Sequence, residues 1–126
     1  MSESATAVIE VNVAHDSAEV WANPQDFLLD ANGHTHVVAG VPPDYFSETG
    51  QFWGNPLYDW DYLESTGYDW WAKRLGFAFQ CCDILRLDHF RAFDTYWEIP
   101  AWTTNTRKGR MRQGPGKAFF TAMAEK

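Results

Sequence analysis

The chain has 126 residues, the length of one ordinary domain with room for a real hydrophobic core. Seventeen Asp and Glu against ten Lys and Arg give a net charge of −7, which argues against nucleic acid or an anionic membrane surface as partner. Seven Trp, nine Phe and five Tyr make 17% of the residues aromatic, so the chain holds either a heavily aromatic core or stacking platforms for ring-shaped ligands.

Residues 8–14, "VIEVNVA", alternate β-branched residues with others and predict a strand. The start "MSESATAVIEV" has neither the basic region nor the long apolar region of a signal peptide, and no apolar run reaches the ~18 residues of a membrane span. From about 22 to 58 the dipeptides and turns "NP", "ANG", "GVPP", "TG" and "GNP" predict a long loop. Such a loop inside a compact domain is functional or disordered, and its Tyr, Phe and Trp content argues against disorder. His34 and His36 fall in a turn, "DANGHTH", that reads as solvated, and the four histidines predict no metal set.

Residues 67–82 predict a helix, with Tyr68, Trp71, Leu75, Ala78 and Cys82 recurring at three- and four-residue steps as one apolar stripe. Cys81 and Cys82 are adjacent, poorly placed to bridge each other, and fit a reducing cytoplasm. A strand over 83–88 follows. Alternation puts Leu85 and Leu87 on one face, and Ile84, Arg86 and Asp88 on the other. The looser segment "EIPAWTTNTRKGRMRQGPG", whose charges read as solvated, leads to a helix expected from about 115 to 125, with Pro115 in its first turn.

Strand, long loop, helix, strand, loop, helix is the order of a parallel β/α unit. In an α/β barrel, catalytic residues stand at the carboxyl ends of strands, where Asp88 falls. Arg86 on the same face would favour the ionised carboxylate, the form that attacks a sugar's anomeric carbon. A structural ion pair closing the strand end explains the same pattern. In "GVPPDYFSETGQFWGNPLYDW", Asp44 and Gln51 can bond sugar hydroxyls, and Tyr45, Phe46 and Trp53 offer flat faces to sugar rings. A self-packed Ω-like loop is the alternative reading. His89 could contact substrate or help shape the strand end.

The blocks "VAHDSAEVWANP", "VVAGVPPDYFSETGQFWGNPLYDW" and "LRLDHFRAFDTYWEIPA" closely resemble the 4-α-glucanotransferases, the amylomaltases or disproportionating enzymes of glycoside hydrolase family 77. The resemblance runs from about Val13 to the chain end and sets residues 1–12 apart as a divergent segment. It implies a fragment of a (β/α)8 barrel, about two β/α units plus a long active-site loop, since a whole barrel takes around 250 residues. It also implies a retaining transferase without cofactor that acts on α-1,4-glucans and maltooligosaccharides. Asp88 matches the nucleophile and Arg86 its partner arginine. Asp44, Tyr45 and Phe46 match the loop bordering the cleft, and Gln51 and Trp53 match residues near the donor–acceptor junction.

Departures from the resemblance carry expectations of their own. The family's acid/base glutamate and its further aspartate fall beyond "FFTAMAEK", and Glu98 does not stand in for that acid/base. The isolated chain is therefore expected to lack turnover, with a non-catalytic maltooligosaccharide-binding remnant as the alternative function. Val8 takes the place of a strand aspartate, Glu10 of a proline, Ala92 of a glycine and Met111 of a tryptophan. Open barrel edges predict aggregation or marginal stability unless the chain self-associates.

Overall fold

The structure, a computed structural model, describes residues 5–125. The first four residues of the divergent segment, and Lys126, lie outside the described residues. Alternating side chains set the frame. In β1 (Thr6–Glu10), Ala7 and Ile9 turn inward while Thr6, Val8 and Glu10 face out. In β4 (Ile84–Asp88), Leu85 and Leu87 are half-buried, and Ile84 and Arg86 are exposed. The two strands pair in parallel, with Val8 beside Arg86 and Glu10 beside Asp88. Residues paired in parallel strands share a face, so the four side chains stand together.

Between these strands the chain forms α1 (Ala18–Ala22), β2 (Val37–Val41), β3 (Gln51–Pro56), α2 (Trp60–Ser65) and α3 (Asp69–Phe79). After β4 come a 3-10 turn at Phe90–Phe93, β5 (Thr95–Pro100), β6 (Arg110–Gln113) and α4 (Lys117–Ala124). β2, β3, β5 and β6 make an antiparallel sheet in the order β3-β2-β5-β6.

This second sheet corrects the reading of 22–58 as loop and of the segment after Glu98 as irregular. Its strands are short, and "VVAGV" and "QFWGNP" contain the Gly and Pro that signal turns. The register also shifts between Val38 and Gly40, which breaks the alternation a sequence pattern relies on. Nor do Arg110 and Arg112 lie in a solvated loop. Their guanidinium groups reach the buried Glu98 carboxylate across the β5–β6 ladder, Arg110 Nε at 2.9 Å.

The predicted helices are real but trimmed. α3 starts after Tyr68, whose backbone is left-handed at φ 58°, and is preceded by a separate helix, α2, capped by Asp59 accepting from the Tyr62 N–H. α4 starts after Gly116, so Pro115 precedes the helix instead of entering its first turn. The strand expected over 8–14 ends its ladder at Glu10, though the Val11 N–H still donates to the Asp88 carbonyl at 3.1 Å.

The core is aromatic. Trp71, Phe93, Phe119 and Leu63 are fully buried, and the Phe93 and Phe119 rings stack at 4.6 Å. Arg74 of α3 fastens the helix to β1. Its Nη2 donates to the Glu10 carbonyl at 2.9 Å, and its guanidinium lies over the Trp71 ring at 4.8 Å. The Tyr58 hydroxyl donates to the Val11 carbonyl, and burial pushes its ionisation far above the ordinary tyrosine range. Among the described residues, no helix is long and apolar enough to cross a membrane. There, too, β1 and β4 pair only with each other, so each keeps one unpaired edge.

Candidate functional site

Asp88 ends β4, and the strand geometry that exposes Arg86 two residues earlier brings its Nε to 3.0 Å from Asp88 Oδ1. The pair is open to solvent, with the Asp88 side chain 40% and the Arg86 side chain 73% exposed. A carboxylate so held is oriented and reachable.

His89 follows with φ 60° and ψ 41°, a left-handed conformation uncommon for a residue with a side chain. That turn ends the strand and leads the chain into the Phe90–Phe93 turn, leaving the imidazole edge-on to the Trp53 ring at 4.7 Å. Trp53 is held in turn by its Nε1–H, which donates to Gln51 Oε1 at 2.8 Å. β3 thus delivers Gln51 and Trp53 to the residue next to Asp88. Burial pushes the His89 pKa below the ordinary histidine value; the nearby Glu10 carboxylate opposes this and the Arg91 guanidinium reinforces it. The ring is accordingly biased toward the neutral form.

Asp44 closes a tight turn. Its Oδ1 accepts from the Phe46 and Ser47 N–H groups at 2.8 and 2.9 Å, and its own N–H donates to the Ser47 carbonyl. Asp44 and His89 line one open cleft of about 210 Å3, together with Pro42, Tyr96, Trp97 and Met111. Tyr45 and Phe46 do not line it; the turn holds both rings fully out in solvent.

The structure therefore brings together Arg86 with Asp88, Gln51 with Trp53 and His89, and Asp44 with His89. Tyr45 and Phe46 stand apart. Glu10 was noted in the sequence only as a departure, yet it is in register with Asp88 and acts electrostatically on His89. No local pattern announces that, because the partners lie on strands far apart in the chain. Tyr96, Trp97 and Met111 join the cleft through the β5–β6 ladder, which the sequence pattern also hid. Among the described residues, no three His, Cys, Asp or Glu side chains gather as a metal site would require.

Comparison with known proteins gives this arrangement a family. The model of glycoside hydrolase family 77, described as 4-alpha-glucanotransferase, matches residues 7–126. The chain is 55% identical over 113 residues to a 4-alpha-glucanotransferase of Thermus thermophilus, and 51% identical over 118 residues to one of Synechocystis. These matches cover 90% and 93% of this chain, and 23% of each relative. The chain thus spans about a quarter of the length of these curated relatives. Among solved structures, an amylomaltase from Streptococcus agalactiae in complex with acarbose superposes with a TM-score of 0.91 at 39% identity, over 95% of this chain and 24% of that one. An amylomaltase from Corynebacterium glutamicum, at 20% identity, shares the fold with a TM-score of 0.81, over 94% of this chain and 16% of that one. The two parallel strands, with the helices between and after them, are accordingly part of a (β/α)8 barrel, and the chain belongs to the 4-alpha-glucanotransferase family, glycoside hydrolase family 77.

Proposed function

We propose that residues 13–126 carry the nucleophile side of a retaining 4-α-glucanotransferase site, acting on α-1,4-glucans and maltooligosaccharides. The observation that carries this reading is the Arg86–Asp88 pair at the end of β4, beside the ring of His89 and the Trp53 platform. Asp88 Oδ bonds to the anomeric carbon as the glycosidic C–O bond breaks, and a second carboxyl group gives its proton to the leaving oxygen. The 4-hydroxyl of an acceptor glucan or glucose then displaces Asp88, losing its proton to that same group. Arg86 keeps the Asp88 carboxylate aimed.

Gln51 and Asp44 meet hydroxyls of the glucan, and Trp53, Tyr45 and Phe46 meet its ring faces. His89 borders the reacting sugar in its neutral form. The exposed, turn-mounted rings of Tyr45 and Phe46 equally suit a remnant that binds maltooligosaccharide without turning it over. The acidic composition and the free Cys81 and Cys82 suit a reducing cytoplasm.

A second carboxyl group about 5–5.5 Å from the nucleophile is a requirement of the retaining reaction. General acid catalysis of this kind contributes about 10²–10⁴-fold. The test is disproportionation of maltotriose: free glucose together with longer maltooligosaccharides, with Asp88→Asn as control. Activity that survives Asp88→Asn overturns the assignment of the nucleophile. Binding without products, retained in Asp88→Asn and lost in Trp53→Ala, favours the remnant.

A further inference from the structure

A second feature suited to sugars lies away from Asp88. Trp21, at the end of α1, is 86% exposed, which is uncommon for the largest apolar side chain. It borders a cleft of about 460 Å3, within the ~300–1,000 Å3 range of small-molecule sites. The cleft shares no lining residue with the one beside Asp44 and His89.

Its polar groups are of the kind that hydroxyls meet. Ser17 stands where a helix N-cap belongs, yet its hydroxyl caps nothing. That Oγ is buried and has no hydrogen-bond partner, a state that costs free energy until something fills it. His15 Nε2 donates to the Gly33 carbonyl at 2.9 Å, which fixes the ring across the cleft and leaves Nδ1 free to accept. Asp16 adds an exposed carboxylate. Val20 and Leu29 supply apolar lining. The cleft thus offers one flat indole, acceptors and an unpartnered hydroxyl, and it has no Lys or Arg in its lining to hold an anion.

We infer that this cleft is a second α-glucan contact, in which a pyranose ring stacks on Trp21 and its hydroxyls pair with Ser17 Oγ and the Asp16 carboxylate. The inference rests on the proposed glucan specificity but needs no chemistry at Asp88. It gives a long chain an anchor outside the transfer cleft and so adds effective concentration without further catalytic groups.

The chain labelled with 5-fluorotryptophan reports each Trp separately by fluorine NMR, and Trp21→Phe assigns the Trp21 signal. On titration with maltoheptaose, the Trp21 signal is expected to shift saturably, and to do so still in Trp53→Ala. Ser17→Ala is expected to weaken that titration about three- to ten-fold while leaving the Trp53 titration unchanged. A Trp53 signal that moves while Trp21 stays still overturns the second contact and leaves the glucan reading standing. If neither moves, both fail. A Trp21 signal that shifts with protein concentration in the absence of sugar, while the Trp53 signal keeps its position, assigns the surface to a second copy of the chain, and also overturns the inference.

Discussion

At the scale of single residues, Asp88 and Arg86 form an ion pair that is open to water, so its contribution to stability is small. Exposed pairs contribute about 0–1 kcal/mol, and Asp88→Asn is expected to leave the thermal midpoint nearly unchanged while eliminating transfer. Unfolding by urea alongside the maltotriose assay separates the two effects; a large loss of stability would instead make Asp88 a structural residue. His89 gives a pH dependence of defined sign. Its folded pKa lies below its unfolded value, so the unfolded chain binds more protons in the window beneath ~6.5. Stability is therefore expected to fall as pH drops through that window, and His89→Gln to flatten the fall. A profile unchanged by the substitution would contradict the half-buried, neutral ring.

The pairing of Arg86 with Asp88 was legible because alternation along one strand is local information. Glu10 beside Asp88, and Val8 beside Arg86, were not, because the register of two parallel strands is set by everything folded between them. Val8 is exposed on that face and stands beside Arg86.

At the scale of elements, the antiparallel sheet fixes where Gln51, Trp53 and Asp44 sit. Gly40 lies at its centre, between β3 and β5. A methyl group there would meet the Ile99 side chain, and the Gln51 carbonyl oxygen at 2.6 Å. Gly40→Ala is expected to destabilise the chain by about 1–3 kcal/mol, the range for overpacking. Because β3 would be pushed aside, the substitution should also weaken maltooligosaccharide binding; denaturant unfolding and calorimetric titration check the pair of effects. At the other end of β3, Asp59 caps α2, and Asp59→Ala is expected to cost about 1 kcal/mol without touching sugar binding.

The helix α3 was readable because a 3.6-residue stripe survives short interruptions, and α4 because "GPG" announces its start. The strands β2, β3, β5 and β6 were not, since Gly54, Pro56 and the shift after Val38 mimic turn signals. The same residues that hid the sheet shape it. Gly40 allows the close approach of its neighbours, and the turn centred on Asp44 lifts Tyr45 and Phe46 into solvent.

At the scale of the whole molecule, an aromatic core and a pair of parallel strands with unpaired edges among the described residues pull in opposite directions. Trp71 packs against Tyr58, Phe93 and Phe119 and bears the guanidinium of Arg74. Trp71→Ala is expected to cost about 3–5 kcal/mol, enough to remove most of a small domain's stability. The parallel strands, each with a free edge among the described residues, and the exposed Val8 and Ile84 invite further strands. Sedimentation equilibrium is therefore expected to show association that deepens with concentration, and a monomer at all concentrations would contradict it. The family was legible in the sequence because long blocks carry it. The Trp21 cleft was not, since it brings His15 and Ser17 together with Gly33 from a turn that reads only as loop.

The central claim is that Asp88 is a nucleophile, and it is tested most directly with α-maltotriosyl fluoride, whose fluoride departs without help from a general acid. The measurement is the mass of the peptide containing Asp88 after brief reaction and acid quench. A maltotriosyl group attached to that peptide, and absent in Asp88→Asn, is the result the Arg86-held carboxylate predicts. Fluoride released with no adduct, or an adduct that persists in Asp88→Asn, would contradict it.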